Sequence, residues 1–314
     1  MERYSQDDTE RQSSDYAETL RQSLIPEAQK YNKEQIKKMF PGKTVVVCDF
    51  PVEGIDPRLS AKEQLREGII NIDHHFDLLE MERQISSTNL AIVYVNAFGA
   101  IPGDWRVVVN HSDTDSVLSY FITRGMLPPD EKFGLAAIVA DHTGQPNKIA
   151  DLLQSIQDRR DLAYSLDQLR LLLDGKPLDG AAQTLLEKRY ADRERIKQII
   201  DGNGFKTVGD VSYAVLDEKI DGVLVPALLP EAKLILLFSP MENDRSKWEV
   251  KFRAGMSAPR GFSLKKMGIE KVDEGFGGRW NAGGNKRGGG ILADPGDYAA
   301  QIAGLVADFN ADRV

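Results

Sequence analysis

All four histidines of this 314-residue chain stand beside aspartates. His74 and His75 follow Asp73 in IDHHF, His111 opens HSDTD with Asp113 and Asp115, and His142 follows Asp141. One histidine near an aspartate is ordinarily a satisfied structural residue, but four of four is harder to attribute to packing. Neutral imidazoles mixed with carboxylates suit Mn²⁺, Mg²⁺, Fe²⁺ or Zn²⁺. The lack of thiolate ligands disfavours structural zinc. Two such ions ~3.5–4 Å apart need a bridging carboxylate and further ligands on each side, and a pair of this kind serves phosphoryl transfer.

The surrounding residues must bring these groups together. KTVVVCDF ends on Asp49, and GIINIDHHF and WRVVVNHSDTD repeat the form of an apolar run followed by a polar cluster. GLAAIVADHTG has the same shape, although Gly134 to Ala140 reads equally well as the end of a helix. Helical stretches between the runs, such as Ser116 to Arg124, give a β/α alternation and hence an open, parallel α/β sheet. Ligands gather at the carboxyl ends of such strands, where Asp49, His74, His111 and Asp141 would converge.

Upstream, residues 1–20 are polar and charged, and Ala17 to Met39 reads as a helix. Downstream, Lys148 to Ile200 is helical and charged until Gly202 and Gly204 break it. VSYAVLD, KLILLFSP and WEVKFRA then read as strands, followed by GFGGRWNAGGNKRGGG and a terminal helix from about Gly296 to Phe309. The predicted organisation is an extension over residues 1–40, a first domain with linker helices over 41–200 and a second over 201–314.

Composition narrows the function further. The net charge of −8 argues against broad binding to long nucleic acid, which needs a basic face. It leaves room for a small phosphorylated substrate. No apolar run approaches the ~18 residues that span a bilayer, and the N-terminus has no apolar core of a signal peptide. The single cysteine, Cys48, excludes an internal disulfide framework and fits a reducing compartment such as the cytoplasm. Within its strand Cys48 reads as core, and Asp77 reads as a solvated loop charge.

These motifs together resemble the DHH/DHHA1 phosphoesterase family. IDHH (72–75) matches the signature that names it, and HSDTDSVLS (111–119) is similar to its H-x-D-x-D-[GS] motif. VVVCDF resembles the strand that ends in its bridging aspartate, and AIVADHTG resembles its last metal motif. GFGGRWNAGG (275–284) resembles the glycine-rich motif of its second domain, and WEVKFRA the strand with a substrate-facing arginine. The chain departs from the family pattern in three places. HSDTD follows IDHH instead of preceding it, Ser116 stands where glycine is common, and Arg279 stands where histidine is usual.

The resemblance implies a parallel-sheet DHH domain and a smaller α/β DHHA1 domain with the catalytic cleft between them. It implies two divalent ions, Mn²⁺ first and Mg²⁺ second, with His111 and Asp113 on one ion, Asp115, His74 and Asp141 on the other, and Asp49 bridging. It makes His75 a donor to the scissile phosphate and Asp73 the residue that orients His74. Arg253, Gly277, Gly278, Arg279, Asn281 and Gly283 would hold the substrate. Family substrates include short oligonucleotides, 3′-phosphoadenosine 5′-phosphate and polyphosphate. The expected partner is therefore a small phosphorylated molecule, not long duplex and not a membrane, and a homodimer is compatible. His142 lies outside the family pattern, in a supporting or a packing role. Trp280 would stack on a base or seal an interface.

Overall fold

The computed structural model describes residues 18–27, 30–56, 59–75 and 85–311. Residues 1–17, 28 and 29 of the extension, and Asp77, lie outside the described residues. Residues 18–23 are helical, but the helix expected through Met39 is broken. Pro26 follows closely, and its ring and missing N–H end a helix. The chain resumes as the short strand β1 (Tyr31–Asn32) and helix α1 (Lys33–Met39), with Asn32 and Gln35 forming a capping box.

The described residues form two compact units. The first holds those up to 75 with 85–140 and 147–187, and the second holds 141–146 with those from 188 onward. In the first, β2 (Val45–Cys48), β3 (Val52–Glu53), α2 (Ala61–Arg66), β4 (Ile69–Ile72), α3 (Ser87–Phe98), β5 (Arg106–Val108) and α4 (Thr114–Thr123) follow in order. Strand β2 lies between β4 and β5, all parallel, with Val46 opposite Ile70 and Val107. The three polar clusters that follow these strands are therefore neighbours.

Both faces of this sheet are buried, which is why its strands are continuous apolar runs. Alternation along β2 sends Val46 and Cys48 to a core shared with Ile70, Val107, Tyr120 and Phe121. Val45 and Val47 go to a second core with Ile36, Phe50 and Ile69. Helix α5 (Glu131–Ile138) runs into a π-helical turn, Val139–Thr143. The segment read as a fourth strand or a helix end is thus helical. After it come α6 (Lys148–Ile156), α7 (Leu162–Leu173) and α8 (Gly180–Asp201). The units divide inside α8, between Glu187 and Lys188, upstream of the expected 200/201 boundary. Ala182 packs in the core of the first unit and Ile196 in a core of the second.

The second unit contains a six-stranded mixed sheet built from β6 (Phe205–Val208), β7 (Val211–Val215), β8 (Leu234–Pro240), β9 (Trp248–Ala254), β10 (Gly277–Gly278) and β11 (Ala282–Gly284). Its order is β10-β11-β9-β8-β7-β6. Leu234, Leu236 and Phe238 face the closing helix α9 (Pro295–Ala311) through a core with Tyr298 and Ile302, while Ile235 and Leu237 face a core with Ile196. No helix among the described residues is long and apolar enough to cross a membrane.

Candidate metal centre

Asp49 stands one residue past the end of β2 and adopts φ 64°, a left-handed conformation that non-glycine residues rarely take. Its N–H donates to the Ile72 carbonyl at 2.9 Å, which fixes the turn. The side chain is 1% exposed, and its two oxygens face different neighbours. Oδ1 lies 3.6 Å from His74 Nε2 and 3.9 Å from His75 Nδ1. Oδ2 lies 3.1 Å from His111 Nε2, which is also 3.3 Å from Asp113 Oδ2. Ligand atoms of Asp49, His74 and His75 all fall within 4.8 Å of one another, as do those of Asp49, His111 and Asp113.

The imidazoles are held from behind. His74 Nδ1 lies 2.7 Å from the Ile85 carbonyl, which accepts only, so Nδ1 donates and Nε2 is turned to the carboxylates. His111 Nδ1 bonds the Asn110 side-chain oxygen in the same manner. This is how supporting groups set the tautomer of a metal-binding imidazole. Asp73, expected behind His74, instead bonds His75, Oδ1 to Nδ1 at 2.5 Å. In an extended segment residues i and i+2 share a side, so Asp73 and His75 meet, with the His74 and His75 ring centroids 4.3 Å apart.

Asp115 is wholly buried at the N-terminus of α3. Its Oδ1 accepts from Thr88 N at 2.7 Å and Thr88 Oγ1 at 2.6 Å, and Oδ2 accepts from Ser87 N at 2.7 Å. A carboxylate has about four lone-pair sites, so at most one is left for an ion, on the Oδ2 side that lies 3.6 Å from His74 Nε2. Asp113 caps α4 by accepting from Ser116 N at 3.0 Å.

Electrostatics bind the cluster together. Burial alone would push the Asp49 carboxyl up, but His111, His75 and His74 outweigh it and hold it well below the carboxylate range. Asp113 is likewise lowered, with His111 outweighing burial. Burial alone would push His111 down, but Asp113 and Asp49 hold it well above its ordinary value. The donor set is nitrogen and oxygen with no sulfur, and its Asp49 and Asp113 carboxylates are held in the charged form. Both features fit a divalent ion of the Mn²⁺ or Mg²⁺ kind.

Asp141 and His142 belong to the second unit, on the π-helical turn. Asn281 Nδ2 donates to the Asp141 carbonyl at 3.4 Å and to His142 Nδ1 at 2.8 Å. His142 Nδ1 therefore accepts, which puts the ring's proton on Nε2. Asn281 is 6% exposed, and Trp280 lies against the His142 ring with centroids 5.6 Å apart. The open reading of His142 thus resolves to a held side chain.

The same unit has a cationic pocket. Lys251 and Arg253 alternate onto one side of β9, and with Arg279, Asp221, Gly278 and Gly283 they line a cavity of about 360 Å³. Arg189 donates to Asp221 at 2.8 Å. Burial pushes both Lys251 and Arg253 down from their ordinary values. Gly278 and Gly283 are required by backbone approach: a Cβ on Gly278 would lie 2.5 Å from the Ala282 carbonyl, and one on Gly283 2.6 Å from the Phe276 ring. Gly277 precedes them on the edge strand.

Sequence reasoning missed Ser87, Thr88, Asp221 and Lys251. The run Ser86-Ser87-Thr88 before apolar residues is a helix-start signature, yet nothing in it says which carboxylate the helix meets.

The fold and the site define an α/β protein with an imidazole–carboxylate cluster at parallel strand tips. No family model and no curated protein matches the chain. Among solved structures it is similar to PggH, a pGpG-specific phosphodiesterase from Vibrio cholerae, at 13% identity and TM-score 0.46, covering 86% of this chain and 100% of that one. It is also similar to exonuclease RecJ bound to manganese, at 15% identity and TM-score 0.36, covering 87% and 77%.

Proposed function

We propose that this chain is a divalent-metal-dependent phosphoesterase of the DHH/DHHA1 type, hydrolysing a phosphodiester, phosphomonoester or phosphoanhydride of a small substrate. The observation that carries the reading is the division of Asp49, with Oδ1 turned to His74 and His75 and Oδ2 turned to His111 and Asp113. That division suits a carboxylate bridging two ions. When bound, such a pair supplies hydroxide from water near neutral pH and clamps oxygens that gain charge.

The residues of the chain do the rest. Asp49, His74, His111 and Asp113 would hold the ions, with one further lone pair at most from Asp115. Asp73 steadies His75, which donates to the scissile phosphate. Arg253 and Arg279, with Lys251 beside them, bind anionic oxygens and neutralise their charge. Asn281 holds His142, and the glycines at 277, 278 and 283 keep the backbone close to bound phosphate.

An exopolyphosphatase or pyrophosphatase is the second reading. No aromatic ring lines the cationic pocket among the described residues, which favours recognition of phosphate over stacking on a base. The test is incubation with Mn²⁺ and a panel of pApA, 3′-phosphoadenosine 5′-phosphate and polyphosphate, beside Asp49→Ala and His74→Ala. Release of nucleotide or phosphate that both variants lose supports the enzyme and names its substrate class. Silence across the panel with Mn²⁺ bound overturns it in favour of a binding module.

A further inference from the structure

Two serines hold the bridging carboxylate from opposite sides. Ser87 Oγ donates to Asp49 Oδ1 at 2.9 Å, and Ser116 Oγ donates to Asp49 Oδ2 at 2.7 Å. Both serines are wholly buried, so water does not compete for these bonds. The direction of the first is fixed by its surroundings. His74 N–H donates to Ser87 Oγ at 3.2 Å, which leaves the hydroxyl proton for Asp49. Ser87 itself is placed by Asp115, which accepts from its backbone N–H.

We infer that Ser87 and Ser116 are positioning residues, each fixing one oxygen of Asp49 toward one half of the metal centre. The inference rests on the metal reading above. The terminal torsion of an aspartate is broad, and a carboxylate that swung freely would favour whichever imidazole was closer. One hydroxyl on each oxygen fixes the plane. Each oxygen then keeps a lone pair for its own half-site, Oδ1 for the His74 side and Oδ2 for the His111 side. Ser116→Ala subtracts the hydroxyl alone.

Supporting groups of this kind change metal affinity by roughly 10–100-fold. The experiment is calorimetric titration of the full-length, metal-stripped protein with Mn²⁺, for wild type, Ser87→Ala and Ser116→Ala. Each variant is also made in the His74→Ala and His111→Ala backgrounds, and circular dichroism first establishes that each folds. Each serine variant is expected to weaken Mn²⁺ on the order of tenfold. Ser116→Ala is expected to add little once His111 is gone and to act fully once His74 is gone, and Ser87→Ala to show the reverse. A purely structural role would weaken both backgrounds alike. Affinities within twofold of wild type, or equal losses in both backgrounds, overturn the inference. Absence of Mn²⁺ binding by the wild type sinks the metal reading itself, a different failure seen in a different sample.

Discussion

His111 Nε2 lies 3.1 Å from Asp49 Oδ2, an imidazole nitrogen set against a buried carboxylate between strand tips. The pKa of His111 is raised well above its ordinary value, and those of Asp49 and Asp113 are lowered. A raised histidine adds stability that is full below its unfolded pKa of ~6.5 and is lost as pH climbs through the folded value. The lowered carboxylates add stability that is present above their unfolded pKa of ~3.9 and is lost as pH falls through their folded values. With chelator present, the Tm difference between wild type and His111→Ala should therefore be largest between about pH 4 and 6.5 and shrink above neutrality. A difference that stays constant from pH 5 to 9 would show that the pair does not form.

Asp115 should stabilise the fold before any ion binds. It accepts from Ser87 N, Thr88 N and Thr88 Oγ1, at the end of α3 where the helix dipole favours an anion. Asp115→Ala leaves these buried donors short of a partner, at roughly 1–3 kcal/mol each. The expected loss is on the order of 3 kcal/mol in urea unfolding of the metal-free protein. A loss under about 1 kcal/mol would mean the helix end finds water or another acceptor.

The glycine-rich segment should depend on one buried carboxylate. Asp273 Oδ2 accepts from Asn285 Nδ2 and from the Tyr298 hydroxyl, both at 2.9 Å, and Oδ1 accepts from Gly275 N at 3.0 Å. Asn285 in turn accepts from Val250 N at 2.8 Å, tying the segment to β9. Tyr298→Phe should destabilise by about 1 kcal/mol, and Asp273→Ala by more because three donors lose their acceptor. Hydrogen exchange over residues 274–290 should rise in Asp273→Ala. Unchanged protection there would refute the link.

Cys48 should be chemically silent in the folded state. Burial first, and then nearby Asp49 and Asp115, push its thiol up to about 12 against the Thr123 hydroxyl. The thiolate is the reactive form, so a thiol reagent at pH 8 should label the native protein only as fast as it unfolds. Rapid stoichiometric labelling without unfolding would contradict its placement in the core.

The sequence by itself determined the strands of the first sheet. Valine-rich runs buried on both sides are typical of a parallel sheet covered on both faces, and each run ends where the polar cluster begins. It also determined the three main strands of the second unit, because alternation and β-branched residues are local signals. It left Gly134 to Ala140 ambiguous, since a short apolar run fits either period, and tertiary packing made it a helix. The pairing of Asp73 with His75 was legible in the two-residue spacing, though the family analogy pointed to His74. What the tertiary structure alone decided are contacts across long loops. Ser87 meets Asp115 over 28 residues, and Asp49 meets Ser87 over 38 and Ser116 over 67. No local propensity encodes which oxygen of Asp49 faces which imidazole, because that follows from the order in which three strands pack and from the φ 64° turn at Asp49.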